Sequence, residues 1–138
     1  MKAKSLIGVC GFSYVFVLCF ITGCFASKGV VPVRGSKNTF ALEDKLKRDV
    51  CVSSVEVFEC DSKGISKGLV WEIQTNEKIP AENFQVTVGE IPSNFYQKIP
   101  SLPTVFYPKE GVLYDILIVP ARMAPSFGPP HEYFYYIK

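Results

Sequence analysis

From residue 50 onwards apolar side chains recur at every second position, and prolines interrupt the stretches where that alternation lapses. Together these patterns leave β-structure as the main regular option. Val50 and Val52 alternate, then Val55 and Val57 alternate in the opposite phase, which places a bulge or a turn at Ser53-Ser54. Leu69, Trp71, Ile73 and Thr75 share one face of a strand, with Glu72 and Gln74 on the other. Phe84, Val86 and Val88 form a further strand ending at Gly89. Pro92, Pro100, Pro103 and Pro108 exclude a helix from 89–108 and leave only edge pairing for 104–107. Residues 112–119, apolar on both faces except at Asp115, have the pattern of a central strand. A loop with four prolines, 120–130, leads into a last aromatic strand at 132–137. Turn chemistry marks 61–64, 76–78 and 109–111. Only 39–48 fits neither period: Glu43-Asp44-Lys45 reads as a turn between short strands, with one or two helical turns as the rival.

About seven short strands with turns every 8–12 residues predict an all-β, two-sheet antiparallel sandwich over residues 39–138. Three details favour an immunoglobulin- or fibronectin type III-like arrangement. Trp71 sits on a mid-chain strand, as a core centrepiece would. Tyr114 follows the 109–111 turn, in the manner of a tyrosine corner. The strands at 112–119 and 132–137 would form a closing pair. The inter-sheet cysteine pair of antibody domains is absent.

The amino terminus sets the compartment. Lys2 and Lys4 precede sixteen uncharged positions, 6–21, the pattern of an export signal. The run is short for a retained span, which needs about 20 apolar residues. It ends in Ile21-Thr22-Gly23-Cys24, which resembles the lipobox of bacterial lipoproteins: aliphatic, small, glycine, cysteine. The resemblance implies cleavage after residue 23, a lipid on Cys24 and a signal peptide spanning 1–23. Phe25 in place of an aspartate implies sorting to the outer membrane, with the domain facing the periplasm. Residues 24–38 then read as the lipidated cysteine and a flexible tether, of which Val30 to Val33 could join a sheet edge.

Without residues 1–23, the 138-residue chain keeps 115, enough for one domain. Lys2 and Lys4 leave with the leader, so thirteen basic and thirteen acidic residues remain. That balance argues against nucleic acid, which requires a concentrated basic face. Of five cysteines only Cys51 and Cys60 remain free to pair. An oxidising compartment favours a disulfide, yet on one straight strand they would stand ~30 Å apart. A bond between them and two buried thiols are both open readings.

No set of residues suggests catalysis. His131 is the only histidine and follows Pro129-Pro130, where a loop role is the simpler reading. No nucleophile elbow, glycine-rich phosphate loop or clustered metal ligands accompany it. No cofactor is expected. The fifteen aromatics outside the leader are more informative. In an alternating strand, one of each neighbouring pair must face outward, which makes Phe95, Tyr96, Tyr133, Tyr135 and Tyr136 candidate contacts for a protein partner.

The segment 86–97 (Val-Thr-Val-Gly-Glu-Ile-Pro-Ser-Asn-Phe-Tyr-Gln), preceded by Trp71 and followed by Gly111 and Tyr114, resembles small bacterial periplasmic lipoproteins, including type VI secretion immunity lipoproteins. The resemblance covers about two-thirds of the chain. It implies a lipid-anchored all-β domain that binds and neutralises a secreted toxin effector. A structural or accessory role in an envelope assembly is the alternative.

Overall fold

In the computed structural model, which describes residues 29–122 and 130–138, the alternation resolves into two antiparallel sheets packed as a sandwich. The smaller sheet has the order β1-β2-β5, from β1 (Val30–Pro32), β2 (Thr39–Leu42) and β5 (Val86–Thr87). The larger has the order β6-β4-β3-β7-β8, from β3 (Cys51–Cys60), β4 (Ser66–Pro80), β6 (Tyr96–Ile99), β7 (Leu113–Pro120) and β8 (His131–Tyr135). The apolar run, Cys24 and most of the 120–130 loop lie outside the described residues.

The core forms between the sheets. Val30, Phe40, Leu42 and Val86 from the smaller sheet meet Val55, Val57, Trp71, Ile73, Tyr114, Ile116 and Ile118 from the larger. Each such side chain taken fully from water stabilises by roughly 1.5–3 kcal/mol. Trp71 is wholly buried and stacks on Phe106 with ring centroids 5.9 Å apart. Tyr114 packs edge-on to the same Phe106 at 6.3 Å, and its hydroxyl accepts the Lys109 amide at 3.0 Å. The tyrosine thereby anchors the turn from which β7 starts. Burial raises the Tyr114 phenol above its usual range, with the Lys109 hydrogen bond opposing. The chain end is tied back by Asn38, whose side chain donates to the Ile137 carbonyl at 2.6 Å and accepts its amide at 3.1 Å.

Several local expectations change. Ser53-Ser54 is a bulge, not a turn: β3 runs through it, and the register shifts between Val52 and Ser54. Residues 76–78 do not end their strand. Val52 pairs with Ile79 and Ser54 with Gln74, so 75–78 form an extended excursion of β4 opposite Ser53. Residues 39–48 divide into β2 and a single helical turn, Asp44–Lys47. A 3-10 turn at Ala81–Asn83 precedes Phe84, and the strand expected there shrinks to Val86–Thr87. Residues 104–107 join no sheet, and the edge beside β4 is taken by β6. β7 lies between β3 and β8, inside the sheet as expected, but only its inner face (Tyr114, Ile116, Ile118) is fully buried. Residues 29–38, expected within the tether, belong to the sandwich: the Gly29 carbonyl accepts the Glu43 amide at 2.9 Å, and β1 pairs with β2.

Candidate functional site

The smaller sheet covers only one face of the larger. Among the described residues no second sheet covers the opposite face, and its composition follows from strand parity. With Val57, Trp71 and Ile116 turned inward, neighbouring positions turn outward, and the register aligns them in rows. One row reads Tyr96, Gln74, Ser54, Val119; the next Ile99, Glu72, Glu56, Leu117, His131; the next Leu69, Phe58, Asp115, Tyr133. Leu113 and Tyr135 extend it beyond.

Tyrosines mark both lateral edges. Tyr96 lies on β6 and is 45% exposed; Tyr133 and Tyr135 lie on β8, at 36% and 58%. Four strand spacings separate the edges, about 19 Å. The Tyr96 hydroxyl donates to Gln74 Oε1 at 3.3 Å, which fixes its ring across the face. Between the tyrosines, Glu56 and Glu72 stand directly opposite one another on β3 and β4. Glu72 is only 5% exposed although it faces outward, because Gln74 donates to its carboxylate and Lys98 lies 3.5 Å from it. Burial pushes the Glu56 carboxyl above its ordinary range, the charge of Glu72 adds to the rise, and Lys98 partly offsets it.

His131 is not a loop residue. It opens β8, and its Nδ1 lies 3.0 Å from Asp115 Oδ1, joining the last two strands on this same face. Its ring meets Tyr133 edge-on at 5.6 Å. Among the described residues, no three His, Cys, Asp or Glu side chains gather as a metal site would require. No helix among them is long and apolar enough to cross a membrane.

The aromatics expected at a partner surface divide. Tyr96, Tyr133 and Tyr135 are on the open face. Phe95 is a correction: it is buried, its ring 5.4 Å from Phe84 in the core. Tyr136 is half-buried against the core and is likewise no surface anchor. Phe95, just before β6, and Tyr136, just after β8, turn inward beside neighbours Tyr96 and Tyr135 that face out. Cys51 and Cys60 are free thiols at the two ends of the ten-residue β3. Because Ser53-Ser54 bulges without turning, that strand holds them ~30 Å apart, beyond disulfide reach. Burial, then Asp115 and Asp61, pushes the Cys60 thiol up, which keeps it protonated and unreactive at neutral pH. The Glu56–Glu72 pair escaped the sequence reading. Glu72 was placed on an outer face, but nothing local told that Glu56 would stand beside it.

A groove of about 410 Å³ lies between the end of β4 and residues 92–95, with Lys78, Asn83, Phe84 and Asn94 among its walls. Its polar walls, Lys78, Asn83 and Asn94, are exposed side chains. No protein-family model, no curated protein and no solved structure matches this chain.

Proposed function

We propose that the chain is a non-enzymatic lipoprotein, anchored through Cys24 in the outer membrane and facing the periplasm, that binds another protein through the open face of its larger sheet. The observation that carries this is the placement of three exposed tyrosines, Tyr96, Tyr133 and Tyr135, on that one face. Tyrosine combines a large apolar ring with a polar tip and loses little rotamer freedom, which suits it to anchoring interfaces. Glu56 and Glu72 between them give the face an acidic centre, so a partner presenting a basic side chain would complement it. The rigid sheet presents these groups preorganised, and a tether raises their effective concentration near the membrane.

The strand partition supports a recognition domain of immunoglobulin or fibronectin type III type. In such sandwiches strands A, B and E share one sheet and C, F and G the other. Here β1, β2 and β5 share one, while β3, β7 and β8 share the other. The partner we favour is a toxin effector delivered into the periplasm by a type VI secretion system, which makes the protein an immunity factor.

Capture from periplasmic extract by residues 25–138, compared with a variant carrying Tyr96→Ala, Tyr133→Ala and Tyr135→Ala, tests this reading. The wild-type chain is expected to retain a toxin-like protein, and the variant to lose it by at least about tenfold in affinity. Retention of the same protein by the variant contradicts the site. Recovery of envelope-assembly components instead favours an accessory lipoprotein.

A further inference from the structure

From the last residue of β6 towards β7 runs a stretch of ten residues without charge, 99–108, followed by Lys109. The structure braces this segment against β6. Gln97, only 8% exposed, donates from Nε2 to the Pro100 carbonyl and to the Thr104 carbonyl, each at 2.7 Å. Phe106 turns inward onto Trp71 and Tyr114. Its neighbours Val105 and Tyr107 point away from the core, and with Leu102 they are 50%, 78% and 71% exposed. Because Trp71 lies on the inner face of the larger sheet, these side chains are displayed on the side opposite the tyrosine face.

We infer that this loop is a contact element for an anionic lipid bilayer. Its uncharged centre matches the acyl boundary, Tyr107 has the amphipathic ring of interfacial belts, and Lys109 carries its charge on a long stem to phosphate depth. Glu110 beside Lys109 reduces the net attraction, and Lys98 takes no part, its ammonium lying 3.5 Å from Glu72 on the tyrosine face. The apolar side chains therefore supply most of the affinity. Chain length supplies the second argument, and it rests on the anchoring proposed above. Five Cα steps separate Cys24 from Gly29, about 18 Å at full extension, so the domain stays within reach of the bilayer. Contact through this loop would turn the tyrosine face away from the membrane, towards a partner.

The test omits the anchor. Residues 25–138 contain every described strand and core side chain, and Trp71, the only tryptophan, reports by its emission whether the fold is intact. This soluble chain is floated with vesicles of phosphatidylethanolamine and phosphatidylglycerol, and with phosphatidylcholine alone. It is expected to float with the anionic vesicles and more weakly with the neutral ones. Leu102→Asp with Tyr107→Asp should cut partitioning at least about tenfold with an unchanged Trp71 spectrum. Lys109→Gln should remove only the preference for anionic lipid. Absence of flotation, or a Leu102/Tyr107 variant that floats like wild type, overturns the inference. If flotation fails while the same variant loses capture of a periplasmic protein, the loop belongs to a protein interface and the lipid assignment falls. Failure of Cys24 to take up lipid would remove the anchor without altering flotation, so the two failures are distinguishable.

Discussion

Glu56 faces Glu72 across β3 and β4 with its carboxyl pushed up by burial and by that like charge, so its ionisation opposes folding at neutral pH. The sign follows from linkage. Below about 4.5, the ordinary carboxyl value, folded and unfolded chains both hold the proton. Above it the unfolded chain releases the proton while the folded one retains it, so stability falls as pH rises through the interval up to the raised value. Glu56→Gln is therefore expected to raise the thermal midpoint at pH 7, on the order of 2 °C, with the difference closing below about pH 4.5. Melting curves of both chains across pH check this; a lower midpoint for the variant at pH 7 would contradict it. The carboxylate pair was hidden in the sequence because its register depends on the shift between Val52 and Ser54. Tyr114 was legible because its partner, the Lys109 amide, is only five residues away and the intervening glycine marks the turn.

At the scale of elements, the strand ends carry the clearest test. Gly29 joins the smaller sheet to the rest, with φ at +80° and a parallel bridge to His131. A Cβ there would lie 2.8 Å from both Leu46 Cδ1 and Pro130 Cβ. Gly29→Ala combines a left-handed backbone with overpacking and is expected to cost about 1–3 kcal/mol in urea unfolding. Amide exchange in β1 and β2 should rise more than in β3. Equal protection in wild type and variant would show that Gly29 does not secure this edge. Nothing in the alternation of residues 30–33 revealed this junction, since it is made with Leu46 and Pro130 from distant parts of the chain. The opposite error occurred at 76–78. Asn76, Glu77 and Lys78 carry turn chemistry, yet β4 continues through them as an excursion, because Ile79 still pairs with Val52. Local polarity signalled a departure from the ladder, but it could not distinguish a reversal from a bulge.

Across the whole molecule, the sandwich was readable because alternation and prolines act locally and leave few ways to bury Trp71, Ile73, Ile116 and Ile118 together. The proposed recognition face was readable only in part: Tyr96, Tyr133 and Tyr135 were marked by composition, while Phe95 and Tyr136 serve the interior. Which tyrosines share a face is a property of sheet order, and that order joins strands far apart in sequence. The proposals give the molecule two sides, a tyrosine face for a protein partner and an uncharged loop towards the bilayer, with an anchor at Cys24 to hold both near the membrane. Labelled palmitate supplied to cells expressing the full chain tests that anchor most directly. The account predicts label on the wild-type protein in the outer-membrane fraction and none on a Cys24→Ala variant. Label retained by the variant, or a wild-type chain that takes up none, would contradict it.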